Sequence, residues 1–505
     1  MTSRTAPRQR EQPRVSQARL VGVFLVAAVV LQALNASTPG RALAIAGALA
    51  ASVLFRIDQV LIAFLMLTLG VETEADKTFS GLWTSPIQRA GDFFIGPIKA
   101  SVPAVPIPVS PMFIIAGILL VRAVLARADR ARTSPTARLP QAFRQATVLS
   151  LAAVALFSAY GLATGGNVQM AFHQVRTIVI GACICAAVAA VANRALVVQL
   201  GAVVLAMGMY RAVLAIYVYV AHVRNSGAVV EYVTAHHDSQ LWVVCAAILM
   251  AQLVESTLVR NQWVTLLQVV VLLAALILND RRLSFVALFG AVLYVLLTAS
   301  QPARQRMRPT MVWLLPVIVV YVVVGYVAPP SKVFAPVQAV KSLTDDRDAS
   351  NVFREVEDAN LRINMRNDLP LPYGFGKEYV RYVPGDDLSR VFPDYLFKPH
   401  NSFMAMMLYV GPLGFVALLA PFVLSVRSTH LARRRQPNTL QAHLFAGGVA
   451  AWFGMLVQGW GDLGFFDALP VVLTAVLCGA GVASSVAPPA PALAPVSRRA
   501  QAVMS

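Results

Sequence analysis

Trp263-Val-Thr-Leu-Leu-Gln-Val-Val-Val-Leu-Leu-Ala-Ala-Leu-Ile-Leu-Asn279 and Leu283-Ser-Phe-Val-Ala-Leu-Phe-Gly-Ala-Val-Leu-Tyr-Val-Leu-Leu-Thr-Ala299 are uncharged runs separated by Asp280-Arg281-Arg282. A helix that crosses a bilayer needs about 20 mainly apolar residues, with roughly 17 tolerated. The pair therefore reads as two membrane crossings joined by a charged turn. Moving outward, similar runs lie near 20–35, 42–55, 59–71, 111–126, 146–163, 177–193, 197–220, 241–256, 311–328, 401–424, 443–459 and 469–485. The 505 residues are 57% hydrophobic and 13% charged, whereas soluble domains are roughly one quarter charged. Mean hydropathy is +0.65. The fold class is all-α, a polytopic integral membrane protein with about 12–14 transmembrane helices. The short pair 42–55 and 59–71, split by Arg56 and Asp58, reads either as two spans or as a re-entrant hairpin.

The net charge of +18 would point to a polyanion partner in a soluble protein. In a membrane protein it reports orientation. With the N-terminus in the cytoplasm, the inner segments carry 23 Lys/Arg and 4 Asp/Glu, net +19, and the outer ones 19 and 20, net −1. That asymmetry satisfies the positive-inside rule with both termini cytoplasmic, and Arg433-Arg434-Arg435 needs no nucleic acid to explain it. The expected organisation is a basic N-terminus at 1–19 and a membrane domain at 20–328 of about 11 hydrophobic segments with an outer segment at 72–110. A large outer loop at 329–400, the last membrane helices at 401–485 and a disordered Ala/Pro-rich cytoplasmic tail at 486–505 complete it. Residues 1–34 resemble a secretory signal, but the spans that follow favour an uncleaved anchor. The 4 cysteines, Cys183, Cys185, Cys245 and Cys478, all fall in apolar runs, so they announce no disulfide framework or zinc site.

The loop 329–400 holds 10 of the 19 outer basic residues and 11 of the 20 outer acids, which makes it the expected seat of function. Within it Ser350 is placed to cap an amphipathic helix from Asn351 to Met365 whose stripe Val352, Val356, Ala359 and Ile363 faces the membrane domain. A turn-rich stretch, Asp368-Leu-Pro-Leu-Pro-Tyr-Gly374-Phe-Gly376, follows. His400 then opens a helix that continues through Asn401 and Ser402 to Gly411-Pro-Leu-Gly414.

Gly374-Phe-Gly376, His400-Asn401 and Gly411-Pro-Leu-Gly414, in a late outer loop of a many-spanning chain, resemble the signature of the O-antigen ligase and Wzy-type polymerase superfamily of GT-C-like membrane glycosyltransferases. The Trp often found between loop helix and glycine turn is absent. The family's Ser-Arg at the start of a mid-chain helix reads here Asp280-Arg281-Arg282-Leu-Ser284, which leaves open which arginine is equivalent. The resemblance implies glycan transfer from an undecaprenyl-diphosphate-linked donor to a lipid A-core or growing polysaccharide acceptor, on the periplasmic face of the bacterial inner membrane, without metal or cofactor. It makes His400 the catalytic residue, supported by Asn401, Gly374, Gly376, Gly411 and Gly414. A diphosphate leaving group gathers negative charge that guanidinium forks at the lipid boundary stabilise, and the topology places Arg176, Arg211, Arg281 and Arg282 near outer helix ends.

Simpler readings stand beside these. Arg211, in the apolar run Met207-Gly-Met-Tyr-Arg-Ala-Val-Leu, is either a diphosphate ligand or a snorkelling or ion-paired structural residue. Asp280-Arg281-Arg282 also fits a plain turn, and His400 a helix cap. Asp345-Asp346-Arg347-Asp348 self-neutralises on a polar stretch rather than forming a cation site, and His236-His237-Asp238 reads as a solvated turn. A lipid-linked glycan transporter is the rival to an enzyme, but the charges collect at outer helix ends and in one late loop rather than at matching mid-membrane positions of two halves. The orientation is testable: a cysteine replacing Ser342 should react with an impermeant maleimide added outside and one replacing Ser428 should not, the reverse pattern overturning it.

Overall fold

The computed structural model describes residues 16–71, 91–105, 109–133, 138–225, 232–255, 262–329, 331–342, 348–368, 371–388 and 394–486. The basic extreme N-terminus, Asp345-Asp346-Arg347 and nearly all of the tail lie outside them. Among the described residues there is no β-strand. The helices in chain order are α1 Gln17–Asn35, α2 Thr38–Leu54, α3 Ile57–Gly70, α4 Asp92–Ile95, α5 Ile98–Ser101, α6 Pro111–Thr133, α7 Gln141–Ala163, α8 Val168–Val191 and α9 Arg194–Val218. The remainder are α10 His236–Glu255, α11 Gln262–Asn279, α12 Arg282–Leu297, α13 Gln301–Val327, α14 Ala335–Ser342, α15 Ala349–Asp368, α16 Ser402–Arg435, α17 Leu440–Gly461 and α18 Ala468–Val486. Eleven are long and apolar enough to cross a membrane, and α2, α3 and α12 are shorter apolar helices. The protein is a polytopic membrane protein. The 42–71 region forms two separate helices broken at Arg56, which pairs with Asp58 at 2.9 Å.

Helices α8, α10 and α18 are enclosed on almost all sides, with α16 and α17 packed around them. Small residues allow the close approach that membrane helices need in place of a hydrophobic driving force. At Gly481, for example, a Cβ would lie 2.0 Å from Thr429 Oγ1. The helix ends alternate between two faces. On one, Arg122 binds the carbonyls of Ser52 and Phe55, Arg127 and Arg130 that of Ala190, and Glu255 accepts from Ser300. On the other lie Arg176, Arg211, Asn279, Arg281 and His400.

Helix α16 contains a break. Gly411 has φ of +66°, and Pro412 has no N–H to offer the carbonyl of Leu408 four residues back. The carbonyls of Leu408 and Tyr409 instead accept from the N–H groups of Tyr373 (3.0 Å) and Gly374 (2.9 Å). The glycine turn is then bolted to two more helices: Phe375 N donates to Phe157 O of α7 at 3.0 Å, and Gly376 N to Gln174 Oε1 of α8 at 2.6 Å. Gly374 has φ of +76° and lies so close to α7 that a Cβ would come 2.4 Å from Gly161 Cα. Gly376, at φ of +94°, and Gly414, packed on Phe157, complete the joint.

Two expectations for the loop need correction. Asp348, not Ser350, caps α15, its Oδ1 accepting from Ser350 N at 3.0 Å and Asn351 N at 3.3 Å. The face of α15 turned inward is not the Val352 stripe, for Val352 is exposed, but Glu357, Asn360, Leu361 and Asn364. Asn360 Oδ1 accepts from the N–H groups of Tyr382 and Val383 at 2.7 Å each, and Asn364 Oδ1 from Val380 N at 2.8 Å. Polar residues win that face because the chain they bury has backbone groups to satisfy. Likewise α16 starts at Ser402, with Asn401 as its N-cap and His400 one residue before it. Gly374→Ala should lower thermal stability in detergent by about 2 kcal/mol or more, from unfavourable φ and the clash with Gly161 together; an unchanged melting temperature would show that the joint tolerates a side chain.

Candidate active site

A cleft of about 570 Å³ opens where the first turns of α12 and α10, the end of α17, α14 and α15 converge. Arg281, Arg282, Lys332 and Arg354 line it with His236 and Asp462. Asp280 pairs with Lys332 at 2.5 Å on its rim.

The two adjacent arginines part company. Arg282 binds Asp348, so its guanidinium ties α12 to the N-terminus of α15 and holds the Asp348 carboxyl below the usual carboxylate range. Arg281 instead approaches His236 Nε2 at 2.6 Å, with its guanidinium carbon 3.5 Å from the centre of the Tyr232 ring. His236 Nδ1 lies 3.0 Å from Asp462 Oδ2. If Nδ1–H donates to that carboxylate, Nε2 is left to accept from Arg281, so the row Asp462, His236, Arg281 has one consistent proton arrangement. Burial favours a neutral Asp462, but His236, with His400 and Arg281 beyond it, outweighs burial and holds the carboxyl well below its ordinary value.

Asp462 also joins this row to His400. Its backbone forms a bridge with Asn401, and its carbonyl accepts from Ser402 Oγ at 2.8 Å. Asn401 Oδ1 accepts from Met404 N at 3.1 Å while Nδ2 donates to Asp358 at 3.1 Å. His400 donates its backbone N–H to Glu357 Oε2 at 2.8 Å, its ring Nδ1 sits 3.4 Å from the same buried carboxylate, and Phe353 presents an edge-to-face ring at 5.5 Å. Burial disfavours the imidazolium, yet Glu357 and then Asp462 overcome it and raise the His400 pKa above the ordinary imidazole value.

The other two arginines stand apart from the cleft lining. Arg211 is 3% exposed, and its Nε lies 2.5 Å from Oδ1 of the equally buried Asp238. His237 Nδ1 is 3.0 Å from Asp467. The expected solvated turn at 236–238 is thus overturned: it is the buried first turn of α10, held by three opposite partners. Arg176 donates to Ile95 O at 3.1 Å. It neighbours Lys398, whose pKa burial and Arg176 depress, and Asp394, whose carboxyl the hydrogen bond from His173 and then Lys398 draw far below its ordinary range. The structure therefore brings together His400, Asn401, Arg281 and Arg282, and leaves Arg211 and Arg176 in neighbouring ion networks. Sequence reasoning missed Glu357, Asp462, His236 and Asp238. The signal for Asp462 was present, since it and Asp467 are the only acids after Arg435. Among the described residues, no group of three or more His, Cys, Asp or Glu is arranged to hold a metal.

Residues 267–419 match the O-antigen ligase family model. That match supports the resemblance to the O-antigen ligase superfamily over this part of the chain. The matched span runs from α11 into α16 and takes in Arg281, Arg282, the whole of α15, the glycine turn and His400 to Gly414. No curated protein matches the chain. The carboxylates Asp238 and Asp462 lie outside the matched span, yet they fix the helix ends that carry the cleft. Arg211→Ala strands a buried Asp238 and should cost about 3–5 kcal/mol, whereas Arg211→Ala with Asp238→Ala should recover most of it; equal instability of single and double variants, read by thermal melts, would show that the pair does not account for the loss.

Proposed function

We propose that this protein is a glycosyltransferase that moves a glycan from undecaprenyl diphosphate to an acceptor sugar, on lipid A-core or on a growing polysaccharide, at the periplasmic face of the bacterial inner membrane. The observation that carries the reading is the His400–Glu357 pair, joined through Asn401 and Asp462 to the cleft that Arg281 lines. Glu357 at Nδ1 leaves Nε2 of neutral His400 as the atom that accepts the acceptor hydroxyl's proton while oxygen bonds to the anomeric carbon. The donor C–O bond breaks in the same step, and its electron pair leaves with the diphosphate, which needs no acid because Arg281 takes up the developing charge through its fork. Arg282, tied to Asp348, supports the cleft wall. One displacement with one base inverts the anomeric centre. Arg211 and Arg176 act behind the cleft, Arg211 by seating the first turn of α10 through Asp238 and thereby His236. The net charge of +19 on the inner segments against −1 on the outer ones supports cytoplasmic termini.

The base must be unprotonated to act, so the rate should rise with pH through the raised His400 pKa. Glu357→Gln removes the group that lifts it, leaving burial dominant, and should move the acidic limb of kcat/KM to lower pH. His400→Gln should lower kcat by about 10²- to 10⁴-fold with donor binding retained. A His400→Gln enzyme at near wild-type rate between about pH 6 and 8 would remove the base from the mechanism.

A further inference from the structure

Of the four cations that line the cleft, three have partners among neighbouring residues. Arg282 is bound to Asp348 and Lys332 to Asp280, while Arg281 meets His236 and the Tyr232 ring. The fourth, Arg354 of α15, is half-buried and makes no hydrogen bond or ion pair among the described residues. On a helix, a carboxylate four residues on is the natural partner of an arginine. Here that residue is Asp358, and it accepts instead from Asn401 Nδ2 at 3.1 and 3.3 Å and has Arg362 within 3.9 Å. The two acids that line the cleft are likewise engaged, Asp280 with Lys332 and Asp462 with His236. The cleft is therefore a concave site with converging positive charge and no anion of its own left to meet it.

Helical spacing puts Ser350, Arg354 and Glu357 on one ridge of α15. Ser350 and Arg354 line the cleft, and Glu357, about 4.5 Å further along the axis, holds His400. Phe353, the residue before Arg354, sets its ring edge-to-face with the His400 imidazole at 5.5 Å. Arg354 is also close enough to His400 to work against the imidazolium that Glu357 favours. It thus stands between the cleft and the proposed base on the helix that carries the base's partner, whereas Arg281 comes from the start of α12. A ligand with two linked anionic groups suits two guanidinium forks supplied by separate elements, each fork matching one phosphoryl group.

We propose that Arg354 is a second diphosphate-binding residue, gripping one phosphoryl group of the lipid diphosphate while Arg281 grips the other; this rests on the proposed transferase reading. The bound diphosphate ties α15 to the start of α12, so the helix that holds His400 through Glu357 is fixed by the donor itself. A lipid monophosphate has one group to offer and cannot make the tie. The test measures binding of radiolabelled undecaprenyl diphosphate and undecaprenyl monophosphate to the full-length protein in phosphatidylcholine nanodiscs. Arg354→Gln should weaken diphosphate binding at least about tenfold and leave monophosphate binding within about twofold, with Arg354→Lys in between because an ammonium lacks the fork. Arg362→Gln, which removes a cation from the same helix outside the cleft lining, should bind both lipids as the wild type does. Thermal melts report whether each variant is folded, and if Arg354→Gln is not, Arg354→Lys carries the same comparison. Unchanged diphosphate affinity in the folded Arg354 variant, an equal loss for both lipids, or the same loss in Arg362→Gln would each overturn the clamp. Full transfer and unchanged affinity in Arg354→Gln fail the clamp and leave the transferase standing, whereas Arg354-dependent diphosphate binding without transfer keeps the clamp and fails the transferase.

Discussion

The carbonyls of Leu408 and Tyr409 lose their helical donors at the Gly411–Pro412 break, and at membrane depth a backbone acceptor without a partner costs several kcal/mol. Their capture by Tyr373 and Gly374 therefore fixes where the loop must come down. From that joint the chain has a short path to Asn401, whose cap starts α16 and whose backbone bridges to Asp462. The position of His400 is thus a consequence of two carbonyls, freed by the break, a little over two helical turns away. The glycines make the joint possible: Gly374 and Gly376 take left-handed conformations, and Gly374 tolerates contact with α7.

Around this frame, carboxylates decide what each cation does. Asp238 and Asp348 neutralise Arg211 and Arg282 directly, turning both into ties between elements. Asp462 reaches Arg281 through an imidazole, which orients the guanidinium without cancelling its charge. That distinction separates neighbouring residues with identical chemistry in the sequence. It also shows why a helix-start pair such as His236-His237 divides its partners, one ring turning to Asp462 and the next to Asp467.

Much of the fold was legible because membrane spans are written locally, as runs of apolar residues, and each of the fourteen runs corresponds to a helix from α1 to α18. His400, Asn401 and the glycines were legible because their spacing is a short-range pattern. The partners were not. Glu357 looked like one more charge on an amphipathic helix, and the apolar period favoured Val352 and Val356 as the buried face. The winning face instead buries Asn360 and Asn364, whose value lies in backbone groups 16 and 23 residues away that periodicity does not reveal. Arg211 was visible as an anomalous charge in an apolar run, but whether it faced a substrate or Asp238 depended on the packing of α9 against α10, which no local pattern encodes.

Helix α12 has 16 residues, and at 1.5 Å per residue it is about 24 Å long, shorter than the roughly 30 Å of hydrocarbon it crosses. A span that short draws the two leaflets toward each other, or brings water down to meet it. In the proposed orientation, either response sinks Arg281, at the N-terminal tip of the helix, below the level at which headgroups ordinarily float. A diphosphate carried by a lipid could then reach the guanidinium while its first isoprene units stayed among acyl chains, and a sugar acceptor would be met in a dimple of the membrane surface rather than above it. For the transfer proposed above, bilayer thickness itself becomes a variable.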